Sequence, residues 1–261
     1  MKEFNPMQYL AIDIANCYGL DKLNFEDRID WVKTNEKYLE DYQDQAEEPL
    51  LYYKAVKALR DAQAGKPIGH TVALDSASSG LSLMSAVMRC KSGASLTGLI
   101  DPDTRTDAYT LITEKLSAKL DSELVIPRED SKRALMTMLY GSSKVPQEVF
   151  DTNVDLFYET VEEECNGAYT LLQILLDSWD KKALHHSWYL PDGHYAHCPI
   201  MQTKEKRINL SEWEYTPVAI VKENTTLKFG LSNPANVIHS IDAYVLRTMV
   251  RRCNYKPKPV S

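Results

Sequence analysis

Apolar residues recur at helical spacing through most of the chain and give way to short alternating runs after residue 185. Asn24 to Ala46 predicts an amphipathic helix capped by Asn24, with Phe25, Ile29, Trp31, Val32 and Leu39 among its apolar positions. Glu47-Glu48-Pro49 breaks it. Leu50 to Ala64 predicts a second helix, with a Tyr52, Tyr53, Val56 and Leu59 face, ended near Gly65 and Pro67. His70 to Asp75 reads as a short, largely buried strand with a carboxylate at its end. Helices follow over Ser79–Cys90, Asp103–Leu120 and 128–141, and Pro146 opens a long helical region to about Lys182. His186–Leu190, the turn Pro191-Asp192-Gly193 and His194–Cys198 predict a hairpin. Arg207 to Phe229 suggests further strands, including Thr216–Val221 and Thr226–Leu231, and Asn236–Cys253 closes as a helix. The class is α+β, mostly helical.

Composition narrows the functional classes. The net charge of −7 is the wrong sign for a free-standing nucleic-acid binder. Any cationic site must therefore be local. No apolar run approaches a membrane span. The start, Met1 to Pro6, is neither a secretory signal nor an Arg/Ser-rich transit peptide. Cysteines 17, 90, 165, 198 and 253 are scattered, odd in number and free of Cys-x-x-Cys spacing, which fits reduced thiols and a cytoplasmic location. Glu162 to Glu164 reads as a solvated face. His185, His186, His194, His197 and Cys198 are of zinc-ligating types. Neighbours in a strand point to opposite faces, however, and no standard spacing is present, so no structural zinc is expected.

Two stretches carry chemistry. In the first, Pro127 suits a helix start, Glu129 and Asp130 suit its positive end, and Gly141 suits its stop. Arg128, Lys132, Met136 and Tyr140 are each four apart and form one stripe, cationic at one end and phenolic at the other. Lys132 and Tyr140 would lie roughly 12 Å apart along the axis, about the span from a terminal phosphate to a ribose. The plain alternative is a surface helix with solvated cations and a half-buried tyrosine. In the second stretch, Asp75 ends an apolar run and small residues Ser76 to Gly80 follow. That arrangement suits a Mg²⁺ ligand, because Mg²⁺ takes oxygen ligands; the alternative is a helix cap.

With these residues in view, the sequence resembles the single-subunit, phage-type DNA-dependent RNA polymerase family, which also includes mitochondrial enzymes. Asp75 with Ser76 to Leu81 resembles its first catalytic motif. Arg128-x3-Lys132-Arg133-x2-Met136-Thr137-x2-Tyr140-Gly141 resembles its second. Ala15-Asn16-Cys17-x-Gly19-x-Asp21-Lys22, Trp188-x2-Pro191-Asp192-Gly193 and Asn236-Val237-Ile238-His239-Ser240-x-Asp242 match three further blocks in the family's order. The resemblance implies that Asp75 and the Ser76 carbonyl bind Mg²⁺, that Lys132 contacts the triphosphate and assists pyrophosphate departure, and that Arg128 and Lys22 contact phosphates. It also implies that Tyr140 sits under the incoming sugar and helps select ribose, with His239 near the 2′-hydroxyl. Arg133, Met136 and Gly141 complete the nucleotide-binding set. Lys204, Lys206, Arg207, Lys222 and Lys228 fall in a region that, in the family, forms a hairpin reading promoter DNA; an ordinary charged hairpin is the alternative.

By the same resemblance, residues 1–66 form a helical insertion of a right-hand palm and 67–92 a palm segment. Residues 93–240 form the fingers with the 186–231 hairpin region, and 241–261 begin a C-terminal palm segment. The sequence departs from the family at Ser76, where glycine is usual, at Ser82 and at Ile241. The third motif, with the second metal-binding aspartate, is expected shortly after Asn254-Tyr255 but does not appear before Ser261. This implies a split polymerase working on DNA template, RNA transcript and nucleoside triphosphates, with other polypeptides supplying the rest. Two alternatives remain: a non-catalytic relic or template-binding subunit, and a related DNA polymerase. The absence of a glutamate from Ser76 to Met84 argues against the latter.

Overall fold

The computed structural model describes residues 4–73, 78–100, 106–120, 126–209 and 218–252. These fall into two compact units, one before and one after the boundary between Ser76 and Ala77.

The first unit opens with α1 (Pro6–Ala15). Asn5 accepts from the Gln8 amide at 2.9 Å while the Gln8 side chain accepts from the Asn5 amide, a reciprocal cap. A π-type turn (Asn16–Leu20) follows. α2 (Phe25–Thr34) and a 3₁₀ stretch (Glu36–Gln45) replace the single helix expected over Asn24–Ala46. The break falls at Asn35, whose side-chain amide donates to the Trp31 carbonyl at 2.8 Å and so competes with helical bonding. α3 (Pro49–Gln63) closes the unit, and Tyr52, fully buried, donates its hydroxyl to the Leu39 carbonyl at 2.9 Å.

His70–Ala73 is not a strand. The segment is held instead by side chains of α1 and of the π-type turn that follows it. Asp13 accepts from the Ala73 amide at 3.1 Å and pairs with His70 Nε2 at 2.7 Å, while Asn16 donates to the Ala73 carbonyl at 3.3 Å. Arg28, itself buried, donates to Asn16 Oδ1 at 2.6 Å and fixes that amide's orientation. Backbone outside a helix or sheet still needs partners for its N–H and C=O groups, and polar side chains provide them at Ala73.

In the second unit, α4 (Ser79–Val87), α5 (Lys91–Leu96), α6 (Ala108–Lys119), α7 (Arg128–Leu139), α8 (Lys144–Phe150), α9 (Val154–Glu164) and α10 (Asn166–Asp177) surround a core. Leu81, Met84, Ile112, Leu116, Leu135, Met138 and Phe157 lie within it. The long helix expected from Pro146 is therefore interrupted, by a 3₁₀ turn at Asp151–Asn153 and by Cys165. Gly167 starts α10 where a side chain would meet Cys90 Cβ at 2.4 Å, so the break lets α10 pack closely. Glu163 and Glu164, read as a solvated face, pair with Lys119 at 2.6 Å and Lys115 at 3.3 Å.

β1 (His185–Tyr189) and β2 (Tyr195–Pro199) form the expected antiparallel hairpin, with Trp188 opposite Ala196. β3 (Gln202–Asn209) and β4 (Val218–Thr225) form a second. The strand expected at Thr226–Leu231 is absent, and α11 (Ser232–Arg252) begins directly after it. The first hairpin is fastened to α11. Trp188 donates to Ser240 Oγ at 2.9 Å, His186 Nδ1 lies 2.6 Å from Asn233 Oδ1, and the turn residue Asp192 accepts from Arg247 Nε at 2.8 Å. Hydrogen bonds from Arg247 hold the Asp192 carboxyl down at about 2. Among the described residues no helix is long and apolar enough to cross a membrane.

Candidate nucleotide-binding site

The site is built on α7. Ser131, Ala134, Leu135, Met138 and Leu139 recur three and four apart and bury one face. Arg133 and Met136 on the other face are exposed, and Lys132 and Tyr140 are half-buried. Gly141 stops the helix at φ +92°, where any side chain would strike the Leu231 carbonyl oxygen at 2.6 Å.

The two ends of the stripe are in different states. Arg128 is occupied. Its Nε and one terminal nitrogen donate to Asp107 Oδ2 at 2.8 and 2.5 Å, and the other terminal nitrogen reaches Glu129 at 2.6 Å. Its guanidinium lies 5.6 Å from the centre of the Tyr109 ring. Asp107 also caps α6, accepting from the Tyr109 and Thr110 amides at 3.0 and 3.3 Å. Burial pushes the Asp107 carboxyl up, but the Arg128 and Thr110 hydrogen bonds outweigh it and hold the group below its ordinary value. Lys132 is only loosely engaged, 3.8 Å from Glu129 with 41% of its side chain exposed.

At the far end, the Tyr140 ring stacks on His239 of α11, with centroids 5.0 Å apart and planes 10° from parallel. A Cβ placed on Gly80 would lie 3.2 Å from the Tyr140 hydroxyl, so that hydroxyl sits over the first turn of α4. Tyr109 joins the two ends: its side chain hydrogen-bonds to Ser78, and burial raises its hydroxyl's pKa.

Arg128, Lys132, Arg133, Met136, Tyr140 and Gly141 thus share α7 and its stop, with His239 brought against the last ring. Lys22 lies in the other unit, paired with its neighbour Asp21 at 2.5 Å. Asp75 and Ser76 lie outside the described residues. Among the described residues no group of three or more His, Cys, Asp or Glu side chains is placed to hold a metal ion. The Mg²⁺ expectation therefore rests on Asp75 and Ser76 alone, and only the approach to them is described, in the clasp of Ala73 by Asp13 and Asn16.

The basic residues of the second hairpin do not gather on one face. Lys204 stands opposite Glu223, Lys222 opposite Glu205, and Lys206 opposite Val221, so Lys222 points away from Lys204 and Lys206. Arg207 pairs with Ile220 in the same ladder, and Lys228 lies exposed beyond β4. Sequence reasoning missed Asp107 and Tyr109. The one local signal was an aspartate directly before a helical run, obscured because the helix was expected to begin at Asp103.

Residues 3–154 match the family model described as DNA-dependent RNA polymerase. Among curated proteins, the chain is 28% identical over 175 residues to the DNA-directed RNA polymerase of Pseudomonas phage phiKMV, covering 52% of this chain. It is also 28% identical over 193 residues to a probable DNA-directed RNA polymerase of Neurospora crassa, covering 66% of this chain. In each case the match spans 21% of the relative's own length, so the chain corresponds to about a fifth of these relatives. With more than half of its residues inside the family match, the chain belongs to the phage-type DNA-dependent RNA polymerase family.

Proposed function

We propose that this chain forms part of the catalytic core of a DNA-dependent RNA polymerase. It would help transfer nucleoside monophosphates from triphosphates to an RNA 3′-hydroxyl, releasing pyrophosphate. The observation that carries the proposal is the meeting of three separated segments, where Tyr140 stacks on His239 and covers Gly80 at the end of an open stripe bearing Lys132 and Arg133. Phosphoryl transfer relies mainly on positioning and charge stabilisation, which fixed cations beside a sugar platform provide.

In this reading Lys132 and Arg133 hold the triphosphate, Met136 lies beneath it, and Tyr140 with His239 faces the sugar and distinguishes ribose from deoxyribose. Arg128 shapes the phosphate end through Asp107 until a triphosphate competes for it. Lys22 is a further phosphate contact. Asp75 and the Ser76 carbonyl would hold Mg²⁺, and the bound ion would supply charge neutralisation at the transferring phosphate. Residues 1–66 and 67–92 are assigned to a palm insertion and palm segment, 93–240 to the fingers, and 241–261 to the next palm segment. Lys204, Lys206, Arg207, Lys222 and Lys228 would contact DNA. Partners are template, transcript and further polymerase polypeptide that completes the carboxylate set.

The test is native co-purification of the chain, identification of its partners by mass spectrometry, and a transcription assay on the assembly. A stoichiometric partner bearing the family's third, aspartate-containing motif, with activity reduced about a hundredfold or more by Asp75→Asn, is the predicted result. Activity unchanged by Asp75→Asn would leave a non-catalytic, template-binding role instead.

A further inference from the structure

The first hairpin has one fastened face and one open face. Trp188, His186 and Ala196 face α11 or are buried. The alternate positions, His185, Ser187 and Tyr189 on β1 with Tyr195, His197 and Pro199 on β2, form the other face, and all six are exposed. Their rings make a continuous row. His185 and His197 are 4.6 Å apart, His197 and Tyr195 6.1 Å, and Tyr195 and Tyr189 5.1 Å. Tyr189 is 75% exposed. We infer that this row of rings is a stacking platform for the unpaired bases of single-stranded DNA.

Three observations select that occupant. First, the face holds four rings and no aliphatic residue apart from Pro199. A protein partner's apolar surface is ordinarily met by aliphatic and aromatic side chains together, whereas bases need only ring faces, and every base has one. Second, His185 and His197 are tilted by 40° and Tyr189 and Tyr195 by 47°, while Tyr195 and His197, closer to parallel at 29°, keep their centroids 6.1 Å apart. They form a floor on which successive bases could lie, not a closed stack that has already satisfied itself. Third, exposed lysines flank the hairpin along the chain, with Glu223 standing opposite Lys204. Lys181 and Lys182 lead into β1, and Lys204 and Lys206 follow β2, all exposed. Residues 180–209 hold five Lys or Arg against three Asp or Glu, in a chain whose net charge is −7. One of those three carboxylates, Asp192, is already neutralised by Arg247 and Arg251. Aromatic rings together with cationic side chains are the chemistry by which single strands are held without sequence preference.

The choice of DNA over RNA rests on the proposed polymerase function. An enzyme that reads duplex DNA must separate its strands, which exposes unpaired DNA bases, while the transcript pairs with its template.

The experiment is fluorescence anisotropy of a labelled oligo-dT titrated with the full chain. Tyr189→Ala and His197→Ala should each weaken binding about fivefold or more, and Tyr189→Phe and His197→Phe should stay within about twofold of the parent. Tyr189→Ala should leave the affinity for a fluorescent nucleoside triphosphate unchanged. This separates the platform from the α7 site: loss of the triphosphate reading would not alter the oligo-dT result, nor the reverse. Because both positions are exposed, circular dichroism should match the parent, and Tyr189→Gln and His197→Gln, which also remove the ring, carry the test if an alanine variant unfolds. The inference is overturned if oligo-dT does not bind, if the alanine variants bind it as well as the parent, or if oligo-rU or duplex DNA binds more tightly.

Discussion

The two ends of α7 differ in what already occupies them. At the cationic end Arg128 is closed onto Asp107 and Glu129, and only Lys132 and Arg133 remain open. At the phenolic end Tyr140 is locked between His239 and Gly80 before any ligand arrives. The difference follows from chemistry. Cations without an anionic ligand find carboxylates nearby, whereas a ring can be fixed in its working position by stacking at no cost to its free edge. Under the proposed function, a nucleotide would meet a ring already stacked in place and a phosphate end that must exchange partners.

The largest effect is expected from removing Lys132, one of the two open cations. Lys132→Ala should weaken binding of a fluorescent nucleoside triphosphate about 10- to 100-fold, the worth of a charge-assisted contact. Next is the helix stop. Gly141→Ala forces a side chain into a positive-φ position against the Leu231 carbonyl and should cost about 2 kcal/mol, seen as a fall of several degrees in Tm. Tyr140→Phe keeps the stack and removes the hydroxyl over Gly80. The preference for ribo- over deoxyribonucleoside triphosphate should fall up to about tenfold, with Tm little changed.

The smallest effect sharpens the comparison from the other side. Asp107→Asn retains a capping side chain but releases Arg128. It should cost about 0.5–1 kcal/mol of stability and raise triphosphate affinity a few-fold, to about threefold, as Arg128 becomes free. The pH dependence has a fixed sign. The Asp107 carboxyl lies below its ordinary value in the folded chain, so its contribution is complete above the ordinary carboxylate pKa and is lost as pH falls through the lower folded value. Thermal melts between pH 7 and pH 3 should show that loss in the parent and less of it in Asp107→Asn.

Local signals made α7 and the β1–β2 hairpin legible. Pro127 and Gly141 bracket the one, and Pro191-Asp192-Gly193 turns the other. α1 was missed although Asn5, Pro6 and Gln8 spell out its cap. The interruptions at Asn35 and Cys165 were hidden because each is set by a partner distant from the apolar pattern, or by a side chain competing with the backbone. The His70–Ala73 segment has a strand-like composition, but its hydrogen bonds go to Asp13 and Asn16, 57 and 60 residues away, which no local pattern encodes. The pairing of Arg128 with Asp107 across 21 residues was hidden for the same reason, and it changes the site most.

The central claim is that a nucleoside triphosphate lies along α7 with its phosphates at Lys132 and its sugar at Tyr140 and His239. Photo-crosslinking with an azido-purine triphosphate, followed by peptide mapping, tests it most directly. The account predicts crosslinks in the peptides containing Tyr140 or His239, lost in Lys132→Ala. Crosslinks confined to other segments, or unaffected by Lys132→Ala, would contradict it.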